Sequence, residues 1–137
     1  MLWAVEALGP AIAKRLSQWD RGLWSRQQAL DGLLADLTFT LHEHPGSRPT
    51  VAAVVGTLRQ PVAAELAAWL AERRTPDGWV WPPIGAIASP YGQTVFGPAK
   101  PAEVAVYESL DGWLRSRALG ASLPNAEPGA AADRGRM

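Results

Sequence analysis

His42, Glu43 and His44 form the one stretch of the chain where two imidazoles and a carboxylate lie side by side, the donor types that hold zinc or a similar ion. Spacing works against a shared site, because helical residues two apart point about 200° away from each other. The chain has no other histidine and no cysteine, so a coordination sphere would need carboxylates from distant segments. The simpler expectation is two imidazoles at a helix C-terminus, interacting with its last carbonyls. No metal site and no cofactor are therefore expected, with His42 and His44 the only metal candidates. A metal-dependent protein or enzyme centred on His42, Glu43 and His44 is the alternative reading of function.

Nucleophilic catalysis has less support. None of the serines lies in a Gly-x-Ser-x-Gly elbow. Ser89, in Ala88-Ser89-Pro90-Tyr91, fits the first position of a turn, and an activated serine also needs an oriented base. The carboxylate pairs Asp31/Asp36 and Glu103/Glu108 are five apart, diverge on a helix and read as solvated faces. No phosphate-cradling glycine loop occurs, and Lys14 and Lys100 are the only lysines. Thirteen basic against thirteen acidic residues leave a net charge of +0, and Arg15, Arg21 and Arg26 alternate with Asp20 and Asp31, so no nucleic-acid partner is expected. No catalytic residue is assigned.

The tryptophans are more informative: there are seven, against two phenylalanines and two tyrosines. Trp19, Trp69 and Trp113 fall on the apolar stripes of helices and read as core anchors, while Trp3 and Trp24 stand at helix starts. Trp79 and Trp81 differ. They are two apart in a segment, 78–99, that carries no charge, and Pro82-Pro83 follows directly. In an extended chain they project from one face. With Tyr91 and Phe96 they form a candidate binding platform for a proline-rich peptide, a sugar ring or a partner's apolar patch. The competing expectation is that both rings only cover the open side of a helical bundle. The leading functional reading is a small non-enzymatic interaction module with a protein or peptide partner.

These residues must be positioned by helices. Ile12, Leu16, Trp19 and Leu23 recur at helical spacing after Pro10; Ser25 and Gln28 make a capping box ahead of Leu30, Leu33, Leu34, Leu37 and Leu41. Thr50 caps a short helix bearing Val51, Val54, Val55 and Leu58, and Pro61 opens another that ends on Arg73 and Arg74. Thr75-Pro76-Asp77-Gly78 is a turn, and Ser89-Pro90-Tyr91-Gly92 is a second turn between Ile84–Ala88 and Gln93–Phe96. Pro101 opens the last helix, with Val106, Tyr107, Leu110, Trp113 and Leu114 inward and Gly120 as its stop. The expected fold is mainly α: a bundle-like domain of four to five helices over residues 1–120, with a short irregular β-hairpin inserted at about 79–97. Residues 121–137, rich in Ala, Gly and Pro, read as a disordered tail. The start of the chain lacks the charge order of a secretory signal, and the long uncharged segment contains Pro82, Pro83, Pro90 and Pro98, so neither export nor a membrane partner is expected and the setting is read as cytoplasmic.

Overall fold

A computed structural model of the chain describes residues 5–81 and 97–120. Five α-helices dominate it, Leu8–Asp20 (α1), Arg26–Glu43 (α2), Arg48–Thr57 (α3), Gln60–Ala71 (α4) and Pro101–Ala118 (α5), with short 3-10 turns at Val5–Ala7 and Pro45–Ser47. Between α4 and α5 lie three strands, Arg74–Thr75 (β1), Gly78–Trp81 (β2) and Gly97–Pro98 (β3), paired antiparallel in the order β1-β2-β3. This is the mainly helical architecture expected, with a small sheet before the last helix.

Local signals set the helix ends. On α2 the Ser25 hydroxyl accepts from the Gln28 N–H, and the Gln28 side chain accepts from the Ser25 N–H, satisfying two amides that the helix itself leaves unpaired. Trp24 ties the preceding turn to α1 by donating its indole N–H to Gln18 at 2.8 Å. Pro101 occupies the first position of α5, where the Glu103 carboxylate accepts from the Lys100 N–H. Gly120, at φ +79°, takes the left-handed conformation that terminates it.

Three expectations about these ends are corrected. α3 opens at Arg48 after Ser47, so Thr50 lies within its first turn rather than capping it. Leu23 does not continue the α1 stripe: the helix stops at Asp20, Gly22 turns the chain at φ +78°, and Leu23 is left 61% exposed. Likewise α4 ends at Ala71 rather than on Arg73 and Arg74, because the Arg73 carbonyl is taken by the Val80 N–H and Arg74 pairs with Trp79. The turn at Thr75–Gly78 closes this hairpin. Thr75 Oγ1 donates to the Gly78 carbonyl and accepts from the Asp77 N–H, while Gly78 takes φ +118°, a value that L side chains rarely adopt.

One apolar core draws on all five helices and on β2. Leu8 and Ile12 of α1, the α2 leucines Leu30, Leu33, Leu34, Leu37 and Leu41, Val51 and Val55 of α3, Leu66 and Leu70 of α4, and Tyr107, Leu110, Trp113 and Leu114 of α5 are all buried. Each leucine so removed from water contributes roughly 1.5–3 kcal/mol before the entropy of ordering is set against it. Trp113 is core, as expected, whereas Trp19 and Trp69 are partly buried at its rim.

The carboxylate pairs read as solvated faces are a further correction: of Asp31, Asp36, Glu103 and Glu108 only Glu108 is exposed, and Asp111, outside those pairs, joins the buried ones. Asp31 and Asp111 are buried and Asp36 is half-buried, and each meets a donor: the Trp69 indole N–H for Asp31 at 2.6 Å, Arg15 of α1 for Asp36, and Arg115 one turn along α5 for Asp111. Burial pushes the Asp31 and Asp36 carboxyls above the usual range, opposed by the Trp69 hydrogen bond at Asp31 and by Arg15 at Asp36. The hairpin expected between Ile84 and Phe96, the tail 121–137 and Trp3 lie outside the described residues. No helix among the described residues is long and apolar enough to cross a membrane.

Candidate interaction surface

Strand alternation puts Trp79 and Trp81 on the same face of β2, and both rings meet Tyr107 of α5, with centroids 4.9 and 5.3 Å from it. Tyr107 is fully buried. Its hydroxyl donates to the Val80 carbonyl at 2.8 Å, so the helix holds the strand by a polar contact between the two stacked tryptophans. Burial raises the Tyr107 phenol far above its ordinary range, with Glu103 adding to the shift and Arg73 opposing it, and the hydroxyl stays a proton donor across physiological pH.

The two tryptophans have different surroundings. Trp79 is 5% exposed, belongs to the core, and donates its indole N–H to Glu108 at 2.7 Å, with the Arg74 guanidinium 5.4 Å from its ring centroid. Trp81 is half-buried and joins three elements. Besides Tyr107 it meets Phe39 edge-on at 5.4 Å and the His42 imidazole at 5.0 Å, both from the C-terminal half of α2. Aromatic contacts of this kind add about 0.5–1.5 kcal/mol each beyond the area they bury. Of the four residues proposed from sequence for a binding platform, Trp79 is thus a core anchor and Trp81 stands at the core's rim. Tyr91 and Phe96 lie outside the described residues.

His42 enters this cluster rather than bonding the last helix carbonyls. Its Nδ1 lies 3.2 Å from the Glu43 carboxylate and its Nε2 3.8 Å from that of Glu103. His44 caps the C-terminus of α2, and its Nε2 is buried with no hydrogen-bond partner. Among the described residues no group of three or more histidines and carboxylates is placed to hold a metal ion. The structure therefore brings together two features that the sequence presents separately, the Trp79/Trp81 pair and His42. Phe39, Tyr107, Glu103 and Glu108 complete the cluster. Phe39 and His42 are one turn apart on α2, a spacing that places them on one face, where both meet Trp81.

The sheet also fixes how the uncharged segment leaves and rejoins the domain. Trp81 pairs with Gly97 and Val80 with Pro98, and the Ala99 N–H donates to the Trp79 carbonyl at 2.8 Å. Trp81 and Gly97, the residues that flank 82–96 in sequence, accordingly lie side by side. Comparison with protein-family models, with curated proteins and with solved structures finds no match for this chain.

Proposed function

We propose that the chain is a small non-enzymatic interaction module of the cytoplasm, engaging a protein or peptide through Trp81 and the aromatic, proline-rich segment 82–96 that carries Tyr91 and Phe96. The observation that carries this reading is the antiparallel pairing of Trp81 with Gly97, which closes an uncharged excursion of the chain on a half-buried tryptophan. A segment far longer than a hairpin connection, held at one neck by a rigid scaffold, is the usual arrangement of a recognition loop. Half-buried tryptophan at such a neck offers apolar area and an indole N–H at little conformational cost, the profile of an interface anchor. Trp79 supports the surface from beneath, through Tyr107 and Glu108.

Replacement of residues 82–96 by a glycine-serine linker of equal length, with Trp81 and Gly97 kept, tests the proposal. The variant is expected to fold, by circular dichroism and cooperative melting, and to lose the proteins that the intact chain captures reproducibly over a bait-free control. Retention of the same captured proteins by the linker variant, or capture of none by the intact chain, rejects the reading.

A further inference from the structure

A second feature borders Trp79 where β1, α4 and α5 meet it. A hollow of about 290 Å³, open to solvent, is lined by Ala67, Ala68 and Ala71 of α4, Arg74 of β1, Trp79 of β2, and Asp111 and Arg115 of α5. Its α4 side consists only of methyl groups, so the two helices leave space there that larger side chains would fill. Its charges do not cancel. Arg115 is committed to Asp111 at 2.6 Å, whereas Arg74 is exposed and makes no ion pair among the described residues. Arg74 instead lies 5.4 Å from the Trp79 ring centroid, a cation–π contact that holds the guanidinium at the hollow without using its N–H donors.

We propose that this hollow receives an acidic side chain of a peptide segment, with Arg74 as the carboxylate's partner and the alanines and Trp79 taking its methylene stem. An uncompensated guanidinium already held against a ring is suited to bidentate recognition of a carboxylate, and the residual charge of the lining is positive. The volume is at the small end for a ligand pocket, and the open side buries little of a free small molecule, so most of the affinity must come from chain on either side of the acid. β1 is the outer strand of the sheet and both its residues are exposed, leaving a place for such a chain beside Arg74. The proposal does not rest on Trp81 or on segment 82–96, and either can fail alone.

The test is an NMR titration of the intact chain with acetyl-Ala-Leu-Glu-Ala-amide and with the same peptide carrying glutamine for glutamate, read at the Trp79 indole N–H. The glutamate peptide is expected to give saturable shifts and to bind about tenfold more tightly than its glutamine twin. Arg74→Gln should abolish that preference. Ala68→Glu, at an exposed helical position, should supply a resident carboxylate, keep the fold and block the titration. Equal binding of the two peptides, absence of a saturable shift, or an undiminished preference in Arg74→Gln overturns the proposal. So does a concentration-dependent shift without peptide, which assigns the hollow to a second copy of the chain.

Discussion

Replacing Trp79 by alanine removes a side chain that is 5% exposed, stacked on Tyr107 at 4.9 Å and hydrogen-bonded to Glu108. Deleting an aromatic ring from a packed core costs about 3–5 kcal/mol. Because Glu108 is itself exposed and regains water, the lost hydrogen bond adds little, and about 4 kcal/mol is expected for Trp79→Ala. Trp81→Ala also breaks ring contacts, with Tyr107, Phe39 and His42, but the ring is half-buried and the space it leaves opens to water. About 2 kcal/mol is expected there. For a chain of this size 1 kcal/mol corresponds to roughly 3–5 °C in Tm, so Trp79→Ala should lower it by about 12–20 °C and Trp81→Ala by about 6–10 °C. Trp79→Phe, which keeps a ring against Tyr107 and loses the indole donor, should fall well short of Trp79→Ala. Urea and thermal denaturation followed by far-ultraviolet circular dichroism measure all three. A Trp81→Ala loss equal to that of Trp79→Ala, or wild-type stability in Trp79→Ala, would refute the division into anchor and rim.

Other consequences follow from single contacts. Ser25→Ala should cost about 1 kcal/mol by removing the α2 cap, seen as a lower urea midpoint at unchanged m-value. Tyr107→Phe should cost about 1 kcal/mol, because the Val80 carbonyl loses its donor while the ring stack survives; an unchanged urea midpoint would contradict this. The Asp31 carboxyl is raised above 3.8, so the folded chain holds a proton at pH values where the unfolded chain has released it. The stability this group contributes is complete below 3.8 and is lost as pH rises through the folded value; Asp31→Asn should flatten that part of the stability–pH profile, and an identical slope in the variant would count against the assignment.

What could be read from sequence was local. The Ser25–Gln28 box, the proline opening α5 and the glycine after it are each decided within a few residues, and the structure places all three as read. The Asp31 carboxylate shows the limit. Its spacing to Asp36 correctly says that the two do not face each other, yet its donor, Trp69, comes from α4, and no periodicity within α2 reports it. His42 is similar, since its position at a helix end suggests carbonyl partners, whereas the sheet delivers Trp81 onto its ring. The difference between Trp79 and Trp81 was equally hidden. Both occupy the same face of one strand, and it is the lie of that strand along α5 that buries the first and leaves the second at the rim. Strand β1 begins at Arg74, a residue with good helix-end character, because pairing with Trp79 of β2 takes its backbone, and the Arg73 carbonyl just before it is taken by the Val80 N–H.

The central claim is that partners bind at the neck formed by Trp81 and Gly97. Hydrogen–deuterium exchange of the intact chain, with and without a protein it captures, locates the bound surface directly. The account predicts slowed exchange across 78–99 and in the facing C-terminal turn of α2, with α1 and α3 unchanged. Protection confined to α1 or α3, with 78–99 exchanging as in the free chain, would contradict it.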